Sequence, residues 1–307
     1  MRLIYSILFF TVFLTTTGSK LFGQFVQRKQ ENFYLDGKPY YYIGANYWYG
    51  GLLALQKDRN RGIERLRKEL DFLSSKGIKN LRVLAAAEGL GLVNGVERVG
   101  PPFQTEKGKF NESVLGGLDV LLSEMDKRKM KAVLFLSNNW EWSGGFLQYL
   151  KWNGLIADSV FRRKMQWDEM RDYISKFYSC DECKKNYLRQ VELIINHTNK
   201  ISGKKYVDEP SIMAWELANE PRPMRSSSNQ AYQNWISDVA AYIKSKDKNH
   251  LVTIGHEGYM GTESIDLFEK VHADKNVDYL TIHIWPKNWN VYRQNKVDFS
   301  LESISVV

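Results

Sequence analysis

The sequence predicts an α/β chain of the (β/α)8 (TIM) barrel kind, with about six of the eight βα units carried by its 307 residues. Three observations predict it. Short, near-continuous apolar runs alternate with stretches whose apolar residues recur at helical spacing, the signature of a parallel sheet covered on both faces. The runs end in polar and aromatic residues, successively "GANYWYGG", "RVLAAAEG", "LSNNWEWSGG", "ELANEPRP", "GHEGYMG" and "HIWPKNW". A doubly wound sheet would gather such residues at one switch point, whereas a barrel spreads them over its C-terminal rim. Finally, no G-x-G-x-x-G follows the first strand and no G-x-x-x-x-G-K-S/T occurs, so dinucleotide and P-loop readings lose support.

The elements follow in order. Residues 1–23 carry Arg2, an apolar run from Leu3 to Leu14, and then small and polar residues before Gln24. That run is too short to span a bilayer and has the three-part layout of a secretory signal, with the cut after Gly18 or Gly23. An exported protein, extracellular or periplasmic, is expected, with no membrane span after cleavage and one C-terminally incomplete domain over 24–307. "FYLDGKPYYYIGAN" reads as a hairpin turning at Asp36-Gly37 and entering a buried strand around Tyr41 to Ala45. Ile63, Leu66, Leu70 and Leu73 mark a helix stopped by Gly77, and "IKNLRVL" follows as a strand. Leu115, Leu118, Leu122 and Met125 precede "KAVLFL" in the same way. Tyr187, Val191 and Ile194 precede "SIMAWEL", and Trp235, Ile236, Val239 and Ile243 precede "LVTIG". A helix from Ile265 to Val271 leads to a sixth strand in "VDYLTIHIW".

The net charge is +8, and loss of residues 1–23 removes Arg2 and Lys20 and no acid. The remaining lysines are scattered, as in "DKRKMK", so the basicity reads as solvation and no nucleic-acid partner is expected. The two cysteines, Cys180 and Cys183, offer two ligands where structural zinc takes four. A local disulfide and a pair of free thiols are both open.

Tryptophan and tyrosine among polar tips suit a sugar ligand, because aromatic faces pack on pyranose C–H faces while Asn, Glu, Arg and His bond hydroxyls. Glycoside hydrolysis needs two carboxylates flanking the bond, and Glu220 is the best single candidate. Asn219 beside it is placed to bond a sugar 2-hydroxyl, and Pro221 fixes the turn. Trp215 and Trp235 read as core, while Trp142 and Trp289 stand between a subsite and loop packing. Glu216 reads as a structural residue facing the other way from its strand neighbours. Arg82 also admits a structural ion pair, and His283 a satisfied core histidine.

These residues carry a resemblance. "WELANEP", with "NLRV" upstream and "TIHIWP" downstream, resembles glycoside hydrolase family 5. The fuller strings "GANYWYGG", "SIMAWELANEPRP", "GHEGYMG" and "HIWPKNW" resemble its endo-β-1,4-mannanase branch, from about Phe33 to Trp289. The resemblance implies a monomeric retaining hydrolase of mannan or glucomannan that uses no cofactor and no metal. It makes Glu220 the general acid/base, Asn219 the 2-hydroxyl contact, Arg82 the arginine that holds the nucleophile, and His283 part of the network around the carboxylates. Trp48 and Trp140 become sugar platforms, and Glu257 and Trp289 supporting members of the cleft. Trp285 stands where relatives carry tyrosine, and an indole cannot accept a hydrogen bond as a phenol does. The nucleophile implied by the family is a glutamate at the tip of strand 7. The stretch after Trp285 is shorter than a helix plus a strand, and Glu302 precedes the apolar "SISVV" where it should follow an apolar strand. The expectation is a chain truncated before strand 7, without its nucleophile and inactive as written. A family 5 cellulase or other β-glycanase, and a non-catalytic glycan binder, are the alternatives.

Overall fold

The computed structural model describes residues 25–289, so the signal-like segment and the stretch from Asn290 that contains Glu302 lie outside the described residues. Five parallel strands form the central sheet: β1 (Ile43–Asn46), β2 (Ile78–Leu84), β3 (Lys131–Phe135), β4 (Ile212–Glu216) and β5 (Leu251–Thr253). They stand side by side in chain order. Five helices alternate with them: α1 (Arg59–Ser75), α2 (Leu115–Asp126), α3 (Asp181–Ile195), α4 (Asn229–Lys246) and α5 (Ile265–His272). Strand, helix and next parallel neighbour repeat as a barrel requires.

Local chemistry sets the boundaries. The Asp58 side chain accepts the Arg61 amide at 3.0 Å and starts α1. Gly77 ends the same unit with φ of +80°, a conformation that costs glycine little. Leu66 and Leu70 bury the α1 face, as their spacing predicts. Every residue of β3 and β4 is buried, because both faces of these strands are covered. Trp215 and Trp235 are core, as expected. The Trp215 indole donates to Asp247 at 2.6 Å, which satisfies its one polar atom inside the apolar mass. The expected hairpin is present, pairing Asn32–Leu35 with Lys38–Pro39 around Asp36-Gly37. With Val26 it packs on Val133, Met213 and Leu251 of the sheet.

Two expectations need correction. The stretch around Tyr41 to Ala45 is not buried: Tyr41 is 79% and Ile43 72% exposed. Strand β1 pairs only with β2 among the described residues, so its far side meets no neighbour. The sixth strand is also missing as a strand. Residues 278–283 instead follow β5 through mixed contacts: Asp278 N to Val252 O at 2.8 Å, Thr253 Oγ1 to Tyr279 O at 2.8 Å, and His283 N to His256 O at 2.9 Å. Side-chain oxygens of Asp278, Thr253 and Thr281 replace part of the ladder, and among the described residues nothing flanks this segment on the other side to flatten it into regular pairing. The cysteine alternative is resolved as a Cys180–Cys183 disulfide at the start of α3.

Candidate active site

Beyond Glu216 the chain leaves β4 and turns through Leu217–Pro221, held by the loops on either side. Asn219 N donates to Ser137 O at 2.9 Å, Asn139 N to Asn219 O at 2.9 Å, and Glu220 N to Gly255 O at 2.8 Å. Glu220 itself sits at φ of +54°, left-handed backbone that a glutamate seldom adopts. Contacts from the loops after both β3 and β5 impose it, the over-determination that such strain needs to persist. The result is a carboxylate aimed into a cleft of about 570 Å³.

Three donors grip that carboxylate. Trp140 Nε1 donates to Oε2 at 2.6 Å, and Trp285 Nε1 donates to Oε1 at 2.7 Å. His283 Nδ1 lies 2.9 Å from Oε1. Burial alone would raise the Glu220 carboxyl, but the His283 contact and the two indoles outweigh it and hold it below the usual carboxylate range. Trp285 thus has a defined partner in this chain: where a phenol could accept, its N–H donates.

Beneath Glu220 lies a second constellation. Arg82 on β2 donates from Nε to Glu216 Oε2 at 2.9 Å and from Nη2 to Glu216 Oε1 and to Asn219 Oδ1, the last at 2.7 Å. Asn219 Nδ2 then donates to Asn138 Oδ1 at 3.0 Å. Glu216 does face opposite to Trp215, and that direction brings it under the cleft. The structural ion pair and the site are therefore one object here, in which Glu216 orients Arg82 and Arg82 orients Asn219. The resemblance implied a different anion for Arg82; among the described residues the carboxylate it binds is Glu216.

All five residues expected to contact substrate line the cleft: Trp48, Trp140, Glu257, Trp285 and Trp289, and Trp142 joins them. Trp48 and Trp142 meet edge to face with centroids 5.4 Å apart, a wall on one side. Opposite, Trp140 and Trp167 lie nearly parallel, 28° apart with centroids at 6.3 Å. Arg222 lies over both rings, 5.0 Å from Trp140 and 5.9 Å from Trp167, and its Nε donates to Glu257 Oε2 at 2.6 Å. Burial pushes the Glu257 carboxyl up despite this arginine, with the Glu220 charge adding to the rise.

Sequence reasoning missed Asn46, Trp167, Arg222 and Asn288, which also line the cleft. Arg222 and Asn46 could have been found, since they sit inside "NEPRP" and "GANYW". Trp167 could not, because it arrives on the short helix Trp167–Ile174, far from any strand tip in sequence. Among the described residues no cluster of three His, Cys, Asp or Glu is set to hold a metal ion.

A family described as GH family 5 beta-mannosidase-like matches residues 23–307. Mannan endo-1,4-beta-mannosidase 1 of Oryza sativa subsp. japonica is 31% identical over 286 residues, covering 87% of this chain and 60% of that protein. Mannan endo-1,4-beta-mannosidase 7 of Arabidopsis thaliana is 31% identical over 292 residues, covering 90% and 62%. The crystal structure of a glycoside hydrolase family 5 mannosidase from Rhizomucor miehei superposes with a TM-score of 0.79 at 32% identity, covering 92% of this chain and 68% of that one. The chain thus spans about three fifths of the length of these plant relatives.

Proposed function

The chain belongs to glycoside hydrolase family 5, and from that premise we propose that it carries the acid/base half of a retaining β-1,4-mannan hydrolase. The observation that supports this most is the grip of Trp140, Trp285 and His283 on Glu220 at the floor of an indole-lined cleft. Glu220 protonates the departing glycosidic oxygen and later takes a proton from water. Asn219, fixed by Arg82 and Asn138, bonds the 2-hydroxyl of the sugar at the cleavage point. Trp48 and Trp140 supply faces for the neighbouring rings.

The complete double displacement requires a nucleophilic carboxylate ~5–5.5 Å from the acid/base. Among the described residues none is free for the role. Glu216 is buried beneath the cleft and is not among the residues that line it, and Glu257 is held by Arg222. We therefore place the nucleophile outside residues 25–289, and we take Glu302 not to be it. Residues 1–23 direct export in this proposal; recovery of a secreted product beginning after Gly18 or Gly23 would support it.

The glycan-binding alternative draws on the same absence of a free second carboxylate. One experiment separates the readings. Product release from mannan, glucomannan and cellulose, with formate added to stand in for the nucleophile, is measured beside mannohexaose binding, for the chain and for Glu220→Gln. Mannan-selective binding that survives Glu220→Gln, with release that does not, supports the acid/base role. Release retained by Glu220→Gln removes it. Equal binding of cellohexaose favours the broader β-glycanase reading.

A further inference from the structure

Beside the cleft lies a second groove of almost equal size, about 550 Å³. It runs between the loop Gly89–Arg98 that follows β2 and the helix Gly145–Trp152 that follows β3. It shares no lining residue with the cleft, yet the two adjoin: Val99 N donates to Trp142 O at 2.8 Å, and Trp142 is part of the cleft wall. The buried Glu88 carboxylate accepts Gly145 N at 2.9 Å and Ser137 Oγ at 2.7 Å, so both loops are tied to the same anchor.

The floor of this groove has more donors than acceptors. Gln148, 4% exposed, gives its carbonyl oxygen to Arg98, and its amide N–H group finds no acceptor among the described residues. Arg98 donates from Nε to Gly91 O at 2.9 Å and from Nη1 to Glu88 O at 3.1 Å, and among the described residues it forms no ion pair. Burial lowers this guanidinium to about 10. Gly89 makes the arrangement sterically feasible, because a Cβ there would collide with both Arg98 and Gln148. The rim is apolar where surfaces are usually polar. Leu90 is 67% and Leu92 47% exposed, next to the half-exposed Trp152, whose ring is fixed edge-on against Tyr149 at 5.6 Å. Lys151 is paired with Asp158, and Glu97 and Arg162 carry opposite signs, which leaves the groove the single net positive charge of Arg98.

Unfilled donors below, with the one net charge at Arg98 already bonded to Gly91 O, Glu88 O and Gln148, and a fixed indole and exposed leucines above, fit a ligand rich in hydroxyl oxygens with an apolar face. A pyranose ring meets that description. We propose that the groove is an auxiliary binding site for a β-1,4-mannan segment, separate from the catalytic cleft, which anchors the polysaccharide near the Trp48–Trp142 wall. The choice of mannan rests on the function proposed above; the groove itself does not.

The test is affinity electrophoresis of the full chain in gels containing soluble β-mannan, with β-glucan and xylan gels in parallel. Trp152→Ala and, separately, the exposed Leu90→Asp are compared with the unaltered chain, with Trp140→Ala as the cleft control. The expected result is a roughly tenfold weakening of mannan retardation in each groove variant, with part of the retardation surviving Trp140→Ala. Full retardation in Leu90→Asp and Trp152→Ala, with complete loss in Trp140→Ala, overturns the groove and leaves the cleft reading intact. Retardation by β-glucan or xylan alone that weakens in the groove variants upholds the groove and overturns the mannan assignment. No retardation in any of the three gels overturns both.

Discussion

The centre of the sheet and its two flanks are built from similar residues and end in different states. Strands β3 and β4 are buried at every position, and the polar groups they present upward are paired. Strand β1 and the segment 278–284 are equally apolar in sequence, yet Ile43, Leu280 and Ile282 are largely exposed. The difference lies in the number of neighbours: a parallel strand is buried only when a strand stands on both sides and a helix behind. In the half gathered on the centre the Glu220 carboxylate and the Arg82–Glu216 pair are bonded, and both carboxylates are buried. The half facing the flanks, where Tyr42, Tyr279 and His283 border a space of about 280 Å³, is open.

The sharpest way to break this comparison is at the centre. Arg82→Ala leaves Glu216 charged, buried and without its main partner, and it should cost about 3–5 kcal/mol in urea unfolding. It should also release Asn219. A loss under about 1 kcal/mol, the size of an exposed ion pair, would show that the constellation is open to water.

A second test uses pH. Among the described residues, His256 at the tip of β5 is buried with neither ring nitrogen bonded, and His272 has an unpartnered Nε2 beside it, with ring centroids 5.6 Å apart. Burial, with His272, Arg222 and His283 facing it, holds the His256 pKa well below 6.5; burial also lowers that of His272. A base whose folded pKa is depressed gives stability that is present above the unfolded pKa and lost as pH falls. The thermal midpoint should therefore drop between about pH 7 and about pH 5. His256→Phe should flatten that drop, and an unchanged slope would assign it to other groups. Glu220 has the same sign in a lower window: its folded pKa is depressed, so its contribution is lost only below the ordinary carboxylate range.

The flanks should give the smallest change in stability. Ile43→Lys on the open edge of β1 is expected to alter unfolding by less than about 0.5 kcal/mol and to reduce any self-association seen in sedimentation velocity, since a charged edge resists pairing. A cost of about 3 kcal/mol, typical of a lost core side chain, would mean that β1 is covered by part of the chain outside residues 25–289.

Much of the centre was legible in the sequence because burial on both faces writes a continuous apolar run, and α1 to α5 each show helical spacing. Glu220, Asn219, Trp48, Trp140, Glu257, Trp285 and Trp289 were legible because they sit at strand tips, where a barrel displays its ligands. What could not be read depends on register between distant strands. The Arg82–Glu216 pair joins residues 134 apart, and nothing local to "WEL" says which carboxylate faces inward under the cleft. The irregular path of 278–283 was hidden for the opposite reason: "VDYLTIHIW" has every local mark of a strand, and among the described residues no further strand stands beside it.

The most direct test of the Glu220 assignment is cleavage of mannopentaose, whose sugar alcohol leaving group departs only when protonated, by the chain and by Glu220→Gln, each with and without added formate. A small carboxylate can stand in for an absent nucleophile, while protonation of the leaving group still falls to Glu220. Cleavage by the unaltered chain that depends on formate and disappears in Glu220→Gln is the predicted result. Formate-supported cleavage of equal rate in Glu220→Gln would contradict it, because the carboxylate gripped by Trp140, Trp285 and His283 would then not be the proton donor.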